Sequence, residues 1–302
     1  MLLLGSLISL LFVGLAVDVT SMTRPEEAED DPDDPDPVDP KDPDGITLEG
    51  TEGDDWLAGT EYDDELTGGA GNDDLHGGLG DDTLDGGDGT DWIYGDGDYG
   101  EGGNDLIFGG AGDDSLAGQG GNDTIHGDAG NDTIFGGEGD DWLHGGPGND
   151  WISGNSGNDT LIAGRGTDDL DGGEGDDLLI GSAHPDAAWL HGGAGNDTLL
   201  PGAGDFAEGG AGNDLFQLGA PDPALEDPGE TVPVIGDFNA AEDRLELRYE
   251  DHGDGITPEV TLDRSDDGST MVRMDGVAVG RLMGAHGLRA ADIGLVAIQP
   301  RA

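Results

Sequence analysis

The sequence contains no cysteine. Disulfide staples, thiolate metal sites and a cysteine nucleophile are therefore excluded. Basic residues are nearly as scarce: ten Lys and Arg face 69 Asp and Glu, a formal net charge of -59. Within Gly50–Gly219 the single basic side chain is Arg165. A surface this acidic repels phosphate, so nucleic acid is not an expected partner. Enzyme signatures are missing as well, with no HExxH, no GxSxG and no GxxxxGK. Gly95–Gly100 does read GxGxxG, but it lies between acidic turns with no helix pattern after it, so it is a product of composition rather than a dinucleotide site. Long apolar runs are absent outside Met1–Val17, MLLLGSLISLLFVGLAV. That run is near the lower limit for a bilayer span, about 17 residues. No Lys or Arg precedes it, while Gly14 and Ala16 satisfy a small-x-small cleavage rule. It reads either as a membrane anchor or as a secretory signal. The stretch 18–49 that follows contains RPEEAEDDPDDPDPVDPKDPD at Arg24–Asp44 and is expected to be an extended, self-repelling spacer.

What the chain has instead is a nine-residue period. Gly118–His126 reads GQGGNDTIH, Gly127–Phe135 reads GDAGNDTIF and Gly136–His144 reads GGEGDDWLH. Five units run from Gly50 to Tyr94, nine from Gly100 to Ile180, and two more occupy Gly192–Leu200 and Gly209–Gln217. In all sixteen units the sixth position is Asp, and the eighth is aliphatic except for Phe216. Such a unit is too short to be a domain and too rich in glycine to be a helix. It is one edge of a stacked parallel β coil, with positions seven to nine as a short strand, one to six as the turn, and two units per coil. Low hydrophobicity with high charge would otherwise mean disorder, and the strict aliphatic period argues against it. Disorder is the expectation for the metal-free chain, where repulsion and glycine entropy win.

Stacking these turns about 4.8 Å apart sets carboxylates in columns, where each near pair repels by roughly 1 to 4 kcal/mol. The fold needs a counter-ion. Aspartate oxygens and glycine carbonyls, without cysteine or regularly placed histidine, are hard donors, and the bent multi-oxygen arrangement suits Ca²⁺ better than the stricter octahedron of Mg²⁺. Glycine serves twice here, reaching positive φ and letting carbonyls converge on the ion.

The pattern GGxGxDxUx, with U aliphatic, resembles the calcium-binding nonapeptide repeats of the RTX (hemolysin-type) family. The resemblance covers a little over half the chain. It implies an all-β fold, a parallel β-roll over 50–217, with each ion held between turns of units two apart on the same side. It further implies that the ligands are the sixth-position carboxylates of Asp73, Asp82, Asp105, Asp114, Asp123, Asp132, Asp141, Asp150, Asp159, Asp168, Asp177 and Asp197. The backbone of the glycine turns would complete the sites, at Gly118, Gly120, Gly127, Gly136 and Gly145. Some units depart from the pattern: Thr90 and Thr167 replace the usual Asn or Asp beside the ligand, and Ala163 and Pro201 replace the leading glycine. The segment Gly95–Tyr99 is an insertion, Gly181–His191 carries two extra residues, and Pro201–Glu208 is one short.

After Gln217 glycine thins out and arginine returns. Val232–Ile235, Arg244–Arg248, Val260–Leu262, Met271–Met274 and Val277–Leu282 read as short strands of a β-rich cap over 218–302, with turns at Asp266-Asp267-Gly268 and Asp275-Gly276. VIGDFNAAEDRLEL (Val234–Leu247) is similar to the segment that follows the repeats in RTX proteins, and that resemblance implies a type I export signal within Ala285–Ala302. His76, His126 and His144, at ninth positions, read as solvated surface residues rather than a zinc site. Trp56, Trp92, Trp142, Trp151 and Trp189 sit mostly at or near seventh positions, outward by alternation. The expected function is a non-enzymatic calcium-binding protein, secreted or displayed at the cell surface, that folds on meeting external calcium. The alternatives are an adhesin or carbohydrate binder using the tryptophan face, and an enzyme or toxin with its site among Asp237, Glu242, Asp243, His252 and His286.

Overall fold

The computed structural model describes residues 45–97, 102–182, 186–219, 232–251, 253 and 256–299. The expected anchor or signal at 1–17, nearly all of the spacer, and His252 lie outside the described residues. Pro40–Ala302 clusters as one compact unit.

The period becomes a two-sided parallel solenoid. Through the repeats successive strands alternate between two sheets, one of 12 strands and one of 13. Partners in each sheet are one coil apart: Thr133 faces Trp151, Ile134 faces Ile152 and Phe135 faces Ser153, all 18 residues on. The irregular spacings are absorbed where the sequence places them. Leu84 pairs with Ile107 across the insertion, Leu179 with Leu199 and Leu199 with Phe216, so the inward column never slips.

Each unit divides differently from the expectation. The strand is six residues long, as in Thr124–Ala129 and Thr133–Glu138, and the turn is only three. Positions seven, eight and nine continue into one, two and three of the next unit, because stacked coils go on pairing beyond the first glycine: Gly137 faces Asn155 and Glu138 faces Ser156. Position one drops out of the ladder, and the strand bends there, with Gly137 at φ +131° just beyond.

Positions six, eight and one point inward. The eighth-position residues from Leu66 to Phe216 are fully buried and form a single column of aliphatic side chains from each sheet. Phe216 closes that series, 6.0 Å from the Phe238 ring.

The region after 217 continues both sheets. Arg244–Glu250 and Gly294–Ile298 add to the 12-stranded sheet in parallel. Val234–Ile235 and Val277–Leu282 add in parallel to the other, which ends in the antiparallel run of Thr270–Met274 and Val260–Arg264. The Asp275-Gly276 turn has φ of +51° and +83° at its two residues, the left-handed pair a two-residue hairpin requires. Gly294–Ile298 falls inside the segment expected to hold an export signal, and Ala285, Leu288 and Ile293 before or at its start are buried.

Candidate metal centres

Each turn is tied in two directions. The backbone N–H of a sixth-position aspartate donates to Oδ1 of its counterpart one coil on, as Asp114 does to Asp132 and Asp132 to Asp150 at 2.9 Å each. On the opposite edge Asp105 donates to Asp123 and Asp123 to Asp141, both at 2.8 Å. The fifth position runs the other way, the N–H of Asp140 donating to Asn122 Oδ1 and that of Asn158 to Asp140 Oδ1 of the preceding coils at 2.8 Å. Thr90 and Thr167 still donate in that ladder, to Asn72 and Asn149 at 3.0 and 2.9 Å.

In thirteen of these carboxylates one oxygen is satisfied and the other is not. Oδ2 is buried and without a hydrogen-bond partner at Asp73, Asp82, Asp91, Asp105, Asp114, Asp123, Asp132, Asp141, Asp150, Asp159, Asp168, Asp177 and Asp197. An orphaned buried acceptor costs about 1–3 kcal/mol, and more when charged. From Asp82 to Asp197 along these columns, burial, with repulsion from neighbouring carboxylates added, outweighs the backbone hydrogen bond. It pushes Asp82 and Asp123 up to about 8, Asp105, Asp132, Asp159 and Asp197 to about 7, and Asp114, Asp141, Asp150 and Asp177 to about 6. Asp168 is raised for the same reason.

The glycines divide the two tasks between them. A Cβ on Gly127 would stand 2.6 Å from both Asp132 Oδ2 and the carbonyl oxygen of Gly145. Position one is therefore bare for space, and its vacancy lets the unpartnered carboxylate oxygen and a stacked carbonyl approach one another. Gly118, Gly136 and Gly145 keep the same space beside Asp123, Asp141 and Asp150. Positive φ belongs instead to positions two and four, as in Gly137 and Gly139. Gly120 is placed differently: its N–H donates to Asp96 Oδ2 at 3.1 Å, and Gly103 N–H donates to Asp96 Oδ1 at 3.0 Å.

Among the described residues no three Asp, Glu or His side chains converge on one point. The carboxylates come one per turn along two edges, so an ion here draws on Asp oxygens and backbone carbonyls together. This donor set fits Ca²⁺: hard, anionic, flexible and rich in carbonyls. The expected aspartates all stand in the two columns. Asp91 belongs with them, fully buried with an unpartnered Oδ2, although it was not among the expected ligands.

Two further members come from outside the strict period. Asp205, fully buried and pushed up to about 6 by burial, accepts N–H groups of Ala188, Gly202 and Ser182 at 2.8, 2.7 and 3.1 Å. Asp243 accepts from Asp214 at 3.2 Å and from Asn239 at 2.6 Å. Both were detectable: Asp205-Phe206-Ala207 and Asp243-Arg244-Leu245 repeat the Asp-x-apolar signature. Ala188 holds the sixth place of its own coil and interrupts one column there, as its N–H bond to Asp205 shows.

His126 and His144 are adjacent in the 12-stranded sheet, rings 6.1 Å apart, while His76 lies in the other sheet. No curated protein sequence matches the chain. The family model for the RTX calcium-binding nonapeptide repeat (4 copies) matches at 49–84, 71–98, 99–134, 118–152, 135–170, 144–179, 162–184 and 189–205. Those segments cover half of the chain and coincide with the coils that carry the two aspartate columns, so the protein belongs to the RTX family of calcium-binding repeat proteins.

Proposed function

We infer that this is a non-enzymatic, secreted or surface-displayed protein whose repeat block folds when it meets external calcium. One observation carries the inference: two columns of buried aspartates, thirteen of which have an oxygen without a hydrogen-bond partner among the described residues. Without a cation, repulsion along the columns opposes stacking. With one, each ion links turns that exist only when stacked, which makes folding cooperative. Affinities of about 10⁻⁴ to 10⁻³ M, as in extracellular modules, keep the chain unfolded inside a cell. In the C-terminal region two of the polar candidates for a reaction are engaged in hydrogen bonds: Asp237 holds the N–H groups of Gly209 and Gly210, and Glu242 accepts from Asn239 Nδ2. That engagement supports a non-enzymatic reading.

Far-ultraviolet circular dichroism of the full chain through a calcium titration tests it. A cooperative gain of β signal at millimolar calcium is expected. An unchanged spectrum up to about 10 mM, well beyond the extracellular range, refutes it. Export through a C-terminal signal is the favoured route, because a channel that passes unfolded chain suits folding after release. Deleting 285–302 is expected to retain the protein in the cell, while deleting 1–17 leaves release intact. The reverse pattern in fractionation assigns targeting to the N-terminal run.

A further inference from the structure

The outer face of the 13-stranded sheet has an order that the calcium columns do not require. Trp56, Asp74 and Trp92 stand in register on three successive coils. After two coils carrying Ser115 and Thr133, Trp151, Asp169 and Trp189 repeat the arrangement in the same column. In both triplets a histidine from the neighbouring column lies near the central carboxylate, closely in the first and more loosely in the second, where His191 Nδ1 is nearer Glu208, at 3.5 Å. His76 Nε2 is 2.9 Å from Asp74 Oδ1, and His191 Nε2 is 3.8 Å from Asp169 Oδ1.

All four indoles are open to solvent, with exposures of 67, 57, 46 and 49% in chain order. Neighbouring rings pack against three of them: Trp56 lies 6.2 Å from His76, which stacks on Tyr94 at 5.0 Å, Trp151 meets Phe135 edge-on at 5.1 Å, and Trp189 lies 5.2 Å from Phe206. Trp142, in the equivalent column of the other sheet, is half-buried against His126 at 4.9 Å. Beside Trp92 a cleft of about 450 Å³ is lined by Asp74, His76, Trp92, Tyr94, Asp96 and Gln119. That volume is within the range of small-ligand sites.

Each triplet therefore offers two aromatic platforms two strand spacings apart, about 9.6 Å, with a carboxylate between them that in the first triplet is paired with an imidazole. The face of an indole suits the C–H-rich face of a pyranose ring, and the Asp–His pair both accepts from and donates to hydroxyl groups. In a linear β-1,4-linked chain each ring is turned over relative to the last, so the same face returns at every second sugar, matched to every second coil. A net charge of -59 opposes an anionic glycan. A compact cation is the poorer fit, because the paired indoles stand apart and form no cage.

We propose that this face binds linear, uncharged β-1,4-linked polysaccharide at two equivalent Trp–Asp–Trp subsites. Trp56 and Trp151 are five coils apart, about 24 Å, an odd number, so a single straight glycan would turn its other face to the second subsite and each subsite takes its own glycan segment. The face exists only in the folded roll, so the proposal rests on calcium-dependent folding, which dichroism reads in the same samples.

The test is calorimetry of the full chain in millimolar calcium with cellotetraose, too short to cover both subsites, and with a long soluble β-1,4-glucan. Two cellotetraose molecules per chain are expected. Trp92→Ala and Trp189→Ala each leave one, the double variant leaves none, and Trp142→Ala keeps both. The long glucan is expected to lose one of its two sites with each single substitution. A folded wild-type chain that ignores both glucans overturns this proposal and leaves calcium-dependent folding standing. Binding that survives in the double variant, or binding of spermidine in place of glucan, overturns it equally.

Discussion

Asp132→Asn separates the two roles of a column aspartate. In the native chain Asp132 Oδ1 accepts the Asp114 N–H and Oδ2 stands unpartnered beside Gly127 and the Gly145 carbonyl. Asparagine keeps the first interaction and puts an amide N–H₂ next to that carbonyl, so the metal-free roll loses a buried charge and gains a donor. Across the coil spacing of about 4.8 Å, each charged neighbour removed relieves roughly 1 to 3.5 kcal/mol between effective dielectrics of 80 and 20. With calcium the sign reverses, because an anionic ligand has been replaced by a neutral one. The calcium midpoint is expected to rise about tenfold, equivalent to about 1.4 kcal/mol.

Acidity supplies the second axis of the same experiment. Asp132 is raised to about 7 and Asp123 to about 8 when folded, against 3.8 for the ordinary group. A raised carboxyl favours the fold below its unfolded value, and that contribution is lost as pH rises through the folded value. In chelator, dichroism is therefore expected to show β structure gained as pH falls from about 8 towards 4, with calcium affinity weakening over the same window as protons compete for Oδ2. Asp132→Asn shifts the metal-free transition to higher pH. An Asn variant that folds less well in chelator, or one with an unchanged calcium midpoint, refutes the assignment of Oδ2 as a ligand oxygen.

Two other outcomes follow from the same columns. Asp132→Ala is expected to raise the calcium midpoint several-fold more than Asp55→Ala in the same titration, because Asp55 lies in the first coil and its Oδ2 accepts the Thr51 N–H at 2.6 Å. Gly127→Ala places a methyl 2.6 Å from both Asp132 Oδ2 and the Gly145 carbonyl. It is expected to destabilise the calcium-bound roll by about 1–3 kcal/mol, the usual range for forced overpacking, read as a lower thermal midpoint in saturating calcium. A wild-type midpoint there would show that the space at position one is not needed.

The sequence by itself determined the period, the inward aliphatic column and the aspartate that ends each turn. These are local and repeated, and a nine-residue register with a constant Asp leaves one way to stack. It also located the insertions, since a column that must stay buried forces extra residues outward: Leu84 still meets Ile107 across the longer coil. The strands of the C-terminal region were legible from alternation and from Asp275-Gly276, whereas Gly294–Ile298 was not, because a short apolar run is a strand only once Arg244–Glu250 offers it an edge.

Only the tertiary structure decided the rest. Strand length was set by pairing between coils 18 residues apart, which carries Gly137 and Glu138 into the ladder despite their turn-like sequence. That one carboxylate oxygen is satisfied by the preceding coil and the other abandoned follows from stacking and has no trace in any single unit. The same holds for the tryptophans. Seventh positions look alike along the chain, and it is the alternation of units between two sheets that gathers Trp56, Trp92, Trp151 and Trp189 on one face and sends Trp142 to the other. Local chemistry fixes which way a side chain points, and the closing of two units into one coil fixes which residues become neighbours.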